Sequence, residues 1–421
     1  MADIINLLAG LEPTHPVARL RTRRAAAQAN AQASFEALLE PDPHSPLTSA
    51  AFSAAERYAV AAYVAGVTAS APTAAEFYAD LLADEPATFS HTALTAATRA
   101  VVADLAAHPG PYAGGRFAVH SPALFGARLA AALDWAHLLT FHPKDASPAA
   151  VGHLHAAGWS VQDIVSLSQL IAFLSFQLRV IAGLSVLAGT GTGVMPAAEL
   201  AQERDGGVVQ FTDLPDWEPA AQTLVPTVVA PTGFVTHSLG WKPWVRPLAK
   251  EDFTEVHTAA LIQPQRIDSE YFRLLAHDPA ALEARTKTDL DIFYNTDGGL
   301  GRAERELSAT VVSRFNGCEF CASVHQQRSK DEGGDAEGID KLLTHGIGGD
   351  LGSSLWNVLQ EASVALTTTP ISFGVEHVQA LRAEGLDEMS ILDVIYSAAF
   401  FNWANRLMLT LGAPDVPKRF R

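Results

Sequence analysis

Two halves of this 421-residue chain can be laid over one another, and that constrains the fold more than any single motif does. Ala55-Glu56-Arg57 matches Ala303-Glu304-Arg305, and the same offset carries Ala61 onto Ala309 and Val64 onto Val312. Past an intervening loop that is shorter in the second half, a new offset aligns the rest without gaps. Leu139-Thr140 falls on Leu366-Thr367, Pro143 on Pro370, Gly158 on Gly385, Ile164 on Ile391, Ala172-Phe173 on Ala399-Phe400 and Arg179 on Arg406. Chance matches are common between alanine-rich helices, but a proline, a glycine and an arginine shared in one ungapped run are harder to dismiss. The expectation is two tandem copies of one domain packed as a pseudo-dimer.

The period of the pattern sets the class. Apolar residues recur at three- and four-residue spacing over long stretches, alanine is abundant and strand signals are few, so the chain is expected to be all-α, a helical bundle in each copy. Residues 17–40 read as one helix stopped by Glu40-Pro41-Asp42-Pro43. Ser53 can cap a second ahead of Glu56, and Pro72-Thr73 opens a third. Residues 107–122, rich in Pro and Gly, read as a loop, followed by helices at about 123–141, 148–157 and 160–187. From 188 to 250 Gly and Pro become frequent, and Val208-Val209-Gln210-Phe211 and Val225 to Val229 have extended character. Helical pattern returns at about 252–262, 269–275, 279–294 and 388–411. The expected organisation is a first domain over 1–205, a linker over 206–235 and a second domain over 236–421.

Charge excludes some partners. At a formal −17 and a pI near 5.3, the chain is repelled by nucleic acid and by anionic membranes. The start, Met1-Ala2-Asp3-Ile4, has no basic region ahead of its short apolar run. The most apolar stretch, Ile164 to Leu187, is interrupted by Gln169, Gln177 and Arg179, which suits a buried helix better than a membrane span. A cytoplasmic protein is expected, in a compartment that keeps thiols reduced.

The only two cysteines lie in Asn316-Gly317-Cys318-Glu319-Phe320-Cys321-Ala322-Ser323-Val324-His325. Asn316-Gly317 is a turn pair that ends one helix and starts the next near Cys318, placing both sulfurs in a first helical turn. Unpaired N–H groups and the helix dipole there favour thiolate, so the cysteine pKa is expected to fall below about 8.5. His325 follows Cys321 at i+4 and shares its face, close enough to exchange a proton directly or through one water. Glu306 lies near the start of the preceding helix, where an antiparallel return brings His325 alongside it. Against this redox reading stand a structural disulfide, which such a short loop disfavours, a zinc site recruiting His257 or His345, two inert buried cysteines, and Glu306 as a surface residue.

The pattern Glu306-x11-Cys318-x2-Cys321-x3-His325 resembles the active-site motif of the alkylhydroperoxidase D (AhpD) family in the carboxymuconolactone decarboxylase superfamily. The context from Asn295-Thr296-Asp297-Gly298-Gly299-Leu300 to Arg302-Ala303-Glu304-Arg305-Glu306-Leu307 is similar to its peroxidase-related branch. The resemblance covers about 236–421, and the first half as a degenerate relative. It implies an all-helical fold without flavin, haem or metal. Cys321 would attack the hydroperoxide, Cys318 would resolve the sulfenic acid as a disulfide, and Glu306 and His325 would relay protons. It also implies an antioxidant enzyme that takes small hydroperoxides, is reduced by an external thiol system, and assembles as a dimer or trimer of two-domain chains. One departure is Phe320, where the prototype carries a second histidine.

The repeat places Ser70 at the position of Cys318, Thr73 at Cys321, Phe77 at His325 and Tyr58 at Glu306, so the first copy is expected to lack this chemistry. Its His137, His142, His153 and His155 lack one-face metal spacing and read as surface or capping residues. Phe400, Phe401 and Trp403, on a helix apolar nearly all round, read as core or subunit contacts. Two other functions remain open at this stage: a lactone decarboxylase of the same superfamily, working by acid–base chemistry, and a non-enzymatic dithiol sensor.

Overall fold

A computed structural model describes residues 3–86, 88–108, 116–190 and 207–421. The fold is all-α. Among the described residues, fourteen helices of nine residues or more fall into two runs of seven. The first run is α1 (Ala25–Leu39), α2 (Ala54–Thr68), α3 (Pro72–Ala83), α4 (His91–Ala107), α5 (Pro122–Phe141), α6 (Pro148–Ala156) and α7 (Val161–Ala188). The second is α8 (Pro279–Tyr294), α9 (Arg302–Asn316), α10 (Glu319–Asp331), α11 (Ala336–His345), α12 (Ser354–Thr367), α13 (Val375–Ala383) and α14 (Glu388–Thr410).

Local chemistry fixes the helix ends. Ser53 and Glu56 form a capping box at the start of α2, as do Ser160 and Asp163 at α7. Residues 17–40 are not one helix. Arg24 leaves the helical region (φ −114°, ψ 59°), and its guanidinium is drawn into a buried ion pair with Asp393 at 2.8 Å. A bond made 369 positions away thus overrides a local pattern that favours continuation.

The centre of the molecule is the contact of α7 with α14. Gly183 allows close approach, since a Cβ there would lie 2.7 Å from Cγ2 of Ile395. Phe173 and Phe176 meet Trp403 at centroid distances of 5.3 and 5.5 Å, and the Trp403 indole N–H donates to Gln169 Oε1 at 3.2 Å. Phe400, Phe401 and Trp403 are therefore core residues of the chain itself. Among the described residues only α7 is long and apolar enough to cross a membrane, and 83% of its apolar window is buried in the fold. The second large contact is α1 on α8, where the Ala27 N–H donates to Asp291 Oδ2 at 2.7 Å.

Two short antiparallel ribbons complete the architecture. Part of the expected 107–122 loop is a strand, β1 (Phe117–His120), paired with β2 (Val209–Thr212) in the register Phe117↔Thr212. The segment after residue 206 therefore adds a strand to the first run of helices, whereas 225–229 forms none. The second ribbon joins β3 (Gly240–Pro243) to β4 (Gly412–Asp415) beside the end of α14.

Candidate active site

Gly317 ends α9 in the left-handed region (φ 79°), as a turn glycine should. The Cys318 N–H then donates to Ser313 O at 2.8 Å, and α10 starts at Glu319 with Cys318 as its N-cap residue and Cys321 in its first turn. A side chain at Gly317 would also meet Lys144 of the first run, its Cβ 2.6 Å from the lysine Cδ.

The expected lowering of both cysteine pKa values needs correction at Cys318. That thiol is pushed well above its ordinary value, by burial first and then by the neighbouring Cys321 sulfur, against the smaller pull of the Cys321 backbone N–H. As a cap residue, 2% exposed, Cys318 has no water to solvate a thiolate, and desolvation outweighs the dipole. The two sulfurs are close together and both are free thiols.

The hairpin of α9 and α10 brings Glu306 to His325. The carboxylate is fully buried and its Oε2 lies 2.5 Å from His325 Nδ1, while Arg302 donates to Oε1 through Nε at 3.1 Å and Nη2 at 3.0 Å. Glu306 is not a surface residue. Burial alone would raise its pKa. The charge and hydrogen bond of His325, then Arg328 and Arg302, outweigh burial and hold it below the ordinary carboxylate value. An ionised carboxylate only accepts, so Nδ1 carries the proton and Nε2 is the nitrogen left for proton exchange. The imidazole stands edge-on to Phe401, centroids 4.3 Å apart, and makes no direct hydrogen bond to either sulfur. Of the two routes expected between His325 and Cys321, exchange through one water is the one this geometry leaves. Phe320, half-buried, packs on the core and adds no second base.

Three further groups that spacing did not reveal lie near the site: Tyr271, within electrostatic reach of both sulfurs and of Arg285, and Asp289, within reach of Arg285 and His325. Tyr271, on the short helix Glu270–Leu275, carries a buried hydroxyl with no hydrogen-bond partner. Burial pushes that phenol up to about 12, and the charges of Arg285, Cys321 and Cys318 all reach it. Arg285, on α8, is 5% exposed, and its Nε is buried without a partner. Asp289 follows one turn later, its pKa raised by burial against the pull of Arg285, His325 and Arg328. An Arg and an Asp at i, i+4 are a legible pair. What hid them is that α8 and the 270–275 helix meet only by tertiary packing.

Of His137, His142, His153 and His155 in the first run, His137 and His142 are not surface residues. His137 is 2% exposed and His142 6%. His137 Nδ1 faces the Tyr63 hydroxyl at 3.4 Å, and His142 Nε2 lies 3.0 Å from the Arg116 carbonyl. Asp134, also buried, bridges His120 Nδ1 at 2.9 Å and the half-buried His153 Nε2 at 3.0 Å. His155 Nδ1 bonds the Trp159 carbonyl at 3.0 Å, which is a capping role. Tertiary partners drew His137 and His142 inward, and helical spacing does not encode them. Among the described residues no group of three or more His, Cys, Asp or Glu side chains is arranged to hold a metal. His257 is turned to Thr254, its Nδ1 2.8 Å from the hydroxyl.

No curated protein and no solved structure matches the chain. Residues 279–364, which carry Arg285, Asp289, Glu306, Cys318, Cys321 and His325, match the carboxymuconolactone decarboxylase family.

Proposed function

We propose that this chain is a thiol-dependent hydroperoxidase in which Cys321 is the attacking sulfur and Cys318 the resolving one. The observation that carries this reading is a buried, ionised Glu306 holding His325 next to a dithiol whose Cys318 member is kept protonated. The remaining thiol, in the first turn of α10, is the one positioned to act as nucleophile.

Nε2 of His325 takes the Cys321 proton through a water. The thiolate attacks one peroxide oxygen, forming S–O as O–O breaks, and the departing alkoxide or hydroxide takes the proton back from the imidazolium. The Cys318 thiol then condenses with the sulfenic acid, giving the disulfide and one water. A two-electron dithiol reductant from outside the chain restores both thiols.

The two-copy organisation belongs to the same reading. The two runs of seven helices follow one order, and their central contact is reciprocal. Arg179 Nη2 donates to the Thr367 carbonyl at 2.9 Å, and Arg406 Nη2 donates to the Thr140 carbonyl at 3.2 Å. Aligned residues exchanging one contact in both directions are the signature of a two-fold relation. We assign the second copy the chemistry and the first, with Ser70, Thr73, Phe77 and Tyr58 in its place, a supporting role.

The decarboxylase reading draws support from the name of the matching family, but a lactone decarboxylase needs no thiol pair. Thiol titration with and without hydrogen peroxide, together with turnover on a dithiol donor, separates the readings. Loss of two thiols with sustained turnover supports the peroxidase, loss without turnover a sensor, and no loss the decarboxylase.

A further inference from the structure

Among the described residues seven arginines are buried: Arg21, Arg24, Arg57, Arg179, Arg285, Arg305 and Arg406. Six have hydrogen bonds from their guanidinium groups, for example Arg24 to Asp393, Arg57 to the Leu38 carbonyl and Arg305 to the Leu300 carbonyl. Arg285 alone has neither a hydrogen bond nor an ion pair with any described residue. Its guanidinium is enclosed by aromatic rings, with Cζ 5.1 Å from the Phe400 centroid and 5.9 Å from those of Tyr271 and Trp403. Ring faces return part of the lost hydration, but they accept no N–H in the way an oxygen does. Arginine, unlike lysine, cannot shed its charge on burial. A folded chain keeps such a group only where something else supplies the anion.

The second donor at this point is Tyr271, whose hydroxyl is buried and also unpartnered. Its phenol is near enough to Arg285 and to both sulfurs for their charges to act on it, and it stays protonated, so it can donate. Asp289 follows Arg285 by one turn of α8 and feels its charge. It makes no ion pair with the guanidinium, and burial favours its neutral form.

We infer that Arg285 and Tyr271 form an oxyanion-binding subsite beside the dithiol, holding the oxygen on which negative charge collects when the substrate O–O bond breaks. The inference rests on the hydroperoxidase reading for its substrate. The site itself does not: it is two neighbouring donors, Arg285 Nε and the Tyr271 hydroxyl, both buried without partners, with Arg285 Cζ 5.9 Å from the Tyr271 ring centroid. Preorganised donors of this kind act on charge that develops in the transition state, without having to reorganise at that moment.

The test uses the full-length protein and the variants Arg285→Met and Tyr271→Phe. Arg285→Met should lower kcat/KM for tert-butyl hydroperoxide about 10²-fold and Tyr271→Phe about 10-fold, mostly in kcat. Alkylation of Cys321 by iodoacetamide at neutral pH should stay at the wild-type rate in both. Arg285→Met should at the same time raise the thermal midpoint, because it removes an unpaired buried charge. Acetate, used as the probe anion against chloride at equal ionic strength, should raise the midpoint of the wild type and not of Arg285→Met. A lower midpoint in Arg285→Met together with an unchanged acetate response would overturn the subsite, because Arg285 would then be an ordinary packing residue. Slowed alkylation in step with turnover would also overturn it, by making the guanidinium a partner of the thiolate. If the wild type consumes no peroxide while the acetate shift still needs Arg285, the hydroperoxidase reading falls and the oxyanion site stands.

Discussion

Two helical hairpins in this molecule, α2 with α3 and α9 with α10, hold corresponding places in the two runs and carry different side chains at the positions the sequence aligns. In α9 and α10 the buried polar groups face one another: Glu306 holds His325, and Cys318 leans on Cys321. At the two positions aligned with the cysteines each hydroxyl bonds the backbone. Ser70 Oγ donates to the Thr68 carbonyl at 2.8 Å and accepts the Ile371 N–H at 2.8 Å, while Thr73 donates to the Leu8 carbonyl at 2.7 Å. Phe77 stands where the imidazole would be, against Phe35 and Tyr78. A hydroxyl whose proton is given to a backbone carbonyl contributes to stability and has no proton free for chemistry. The difference shows that the hairpin positions the groups without dictating what they do.

The largest expected effects break the active hairpin. Cys321→Ser should abolish peroxide consumption, whereas Cys318→Ser should complete one turnover and accumulate sulfenic acid, detected by dimedone labelling. Equal loss in both variants would remove the division of labour between the sulfurs. Glu306→Gln keeps the shape but loses the charge that fixes His325, and should slow turnover about 10²-fold or more. Its alkylation rate at Cys321 should fall in parallel, which distinguishes loss of the base from loss of the oxyanion subsite.

A smaller effect separates the two halves by pH. Glu306 has a depressed pKa in the folded state, so the stability it contributes is fully present above the ordinary carboxylate value of about 4.3 and is lost as pH falls through its lower folded value. His137, in the first run, is held well below its ordinary value by burial first and by His142 and His120. Below about pH 6.5 the unfolded chain binds a proton there that the folded chain refuses, so stability falls as pH drops. Urea midpoints should therefore begin to decline below pH 6.5, and His137→Leu should lessen that decline without moving the Glu306 window, the remainder coming from His155, His257 and His277, which burial also lowers. A decline that starts only near pH 4 in the wild type would count against a neutral His137.

How much of this was legible follows from where the partners lie. The dithiol turn, Glu306 and the return of His325 are set within one helical hairpin, and Asn316-Gly317 and i+4 spacing encode them directly. The depth of Cys318 is not encoded there, because it depends on packing rather than on helix position. Arg285 and Tyr271 stay silent for the same reason, lying on other helices. β1 is hidden in a Pro- and Gly-rich run because β2 lies some ninety residues away. The break at Arg24 is written in Asp393, which no local window contains.

The smallest effect tests the pattern that the hairpins share. Each first helix ends on a residue in the left-handed region at the aligned position: Gly317 at φ 79° and Ala69 at φ 52°. Glycine adopts that conformation freely, whereas an L side chain there costs roughly 1–2 kcal/mol. Ala69→Gly should therefore stabilise the protein by up to about 1 kcal/mol, part of the strain relief being offset by the greater entropy of the unfolded glycine. Gly317→Ala should destabilise by at least that amount, since it adds strain and pushes a Cβ toward Lys144. Urea midpoints at constant m-value measure both. Opposite signs follow if one turn serves both hairpins, and a loss of stability in Ala69→Gly would mean that the alanine methyl contributes more through packing than its backbone gives up in strain.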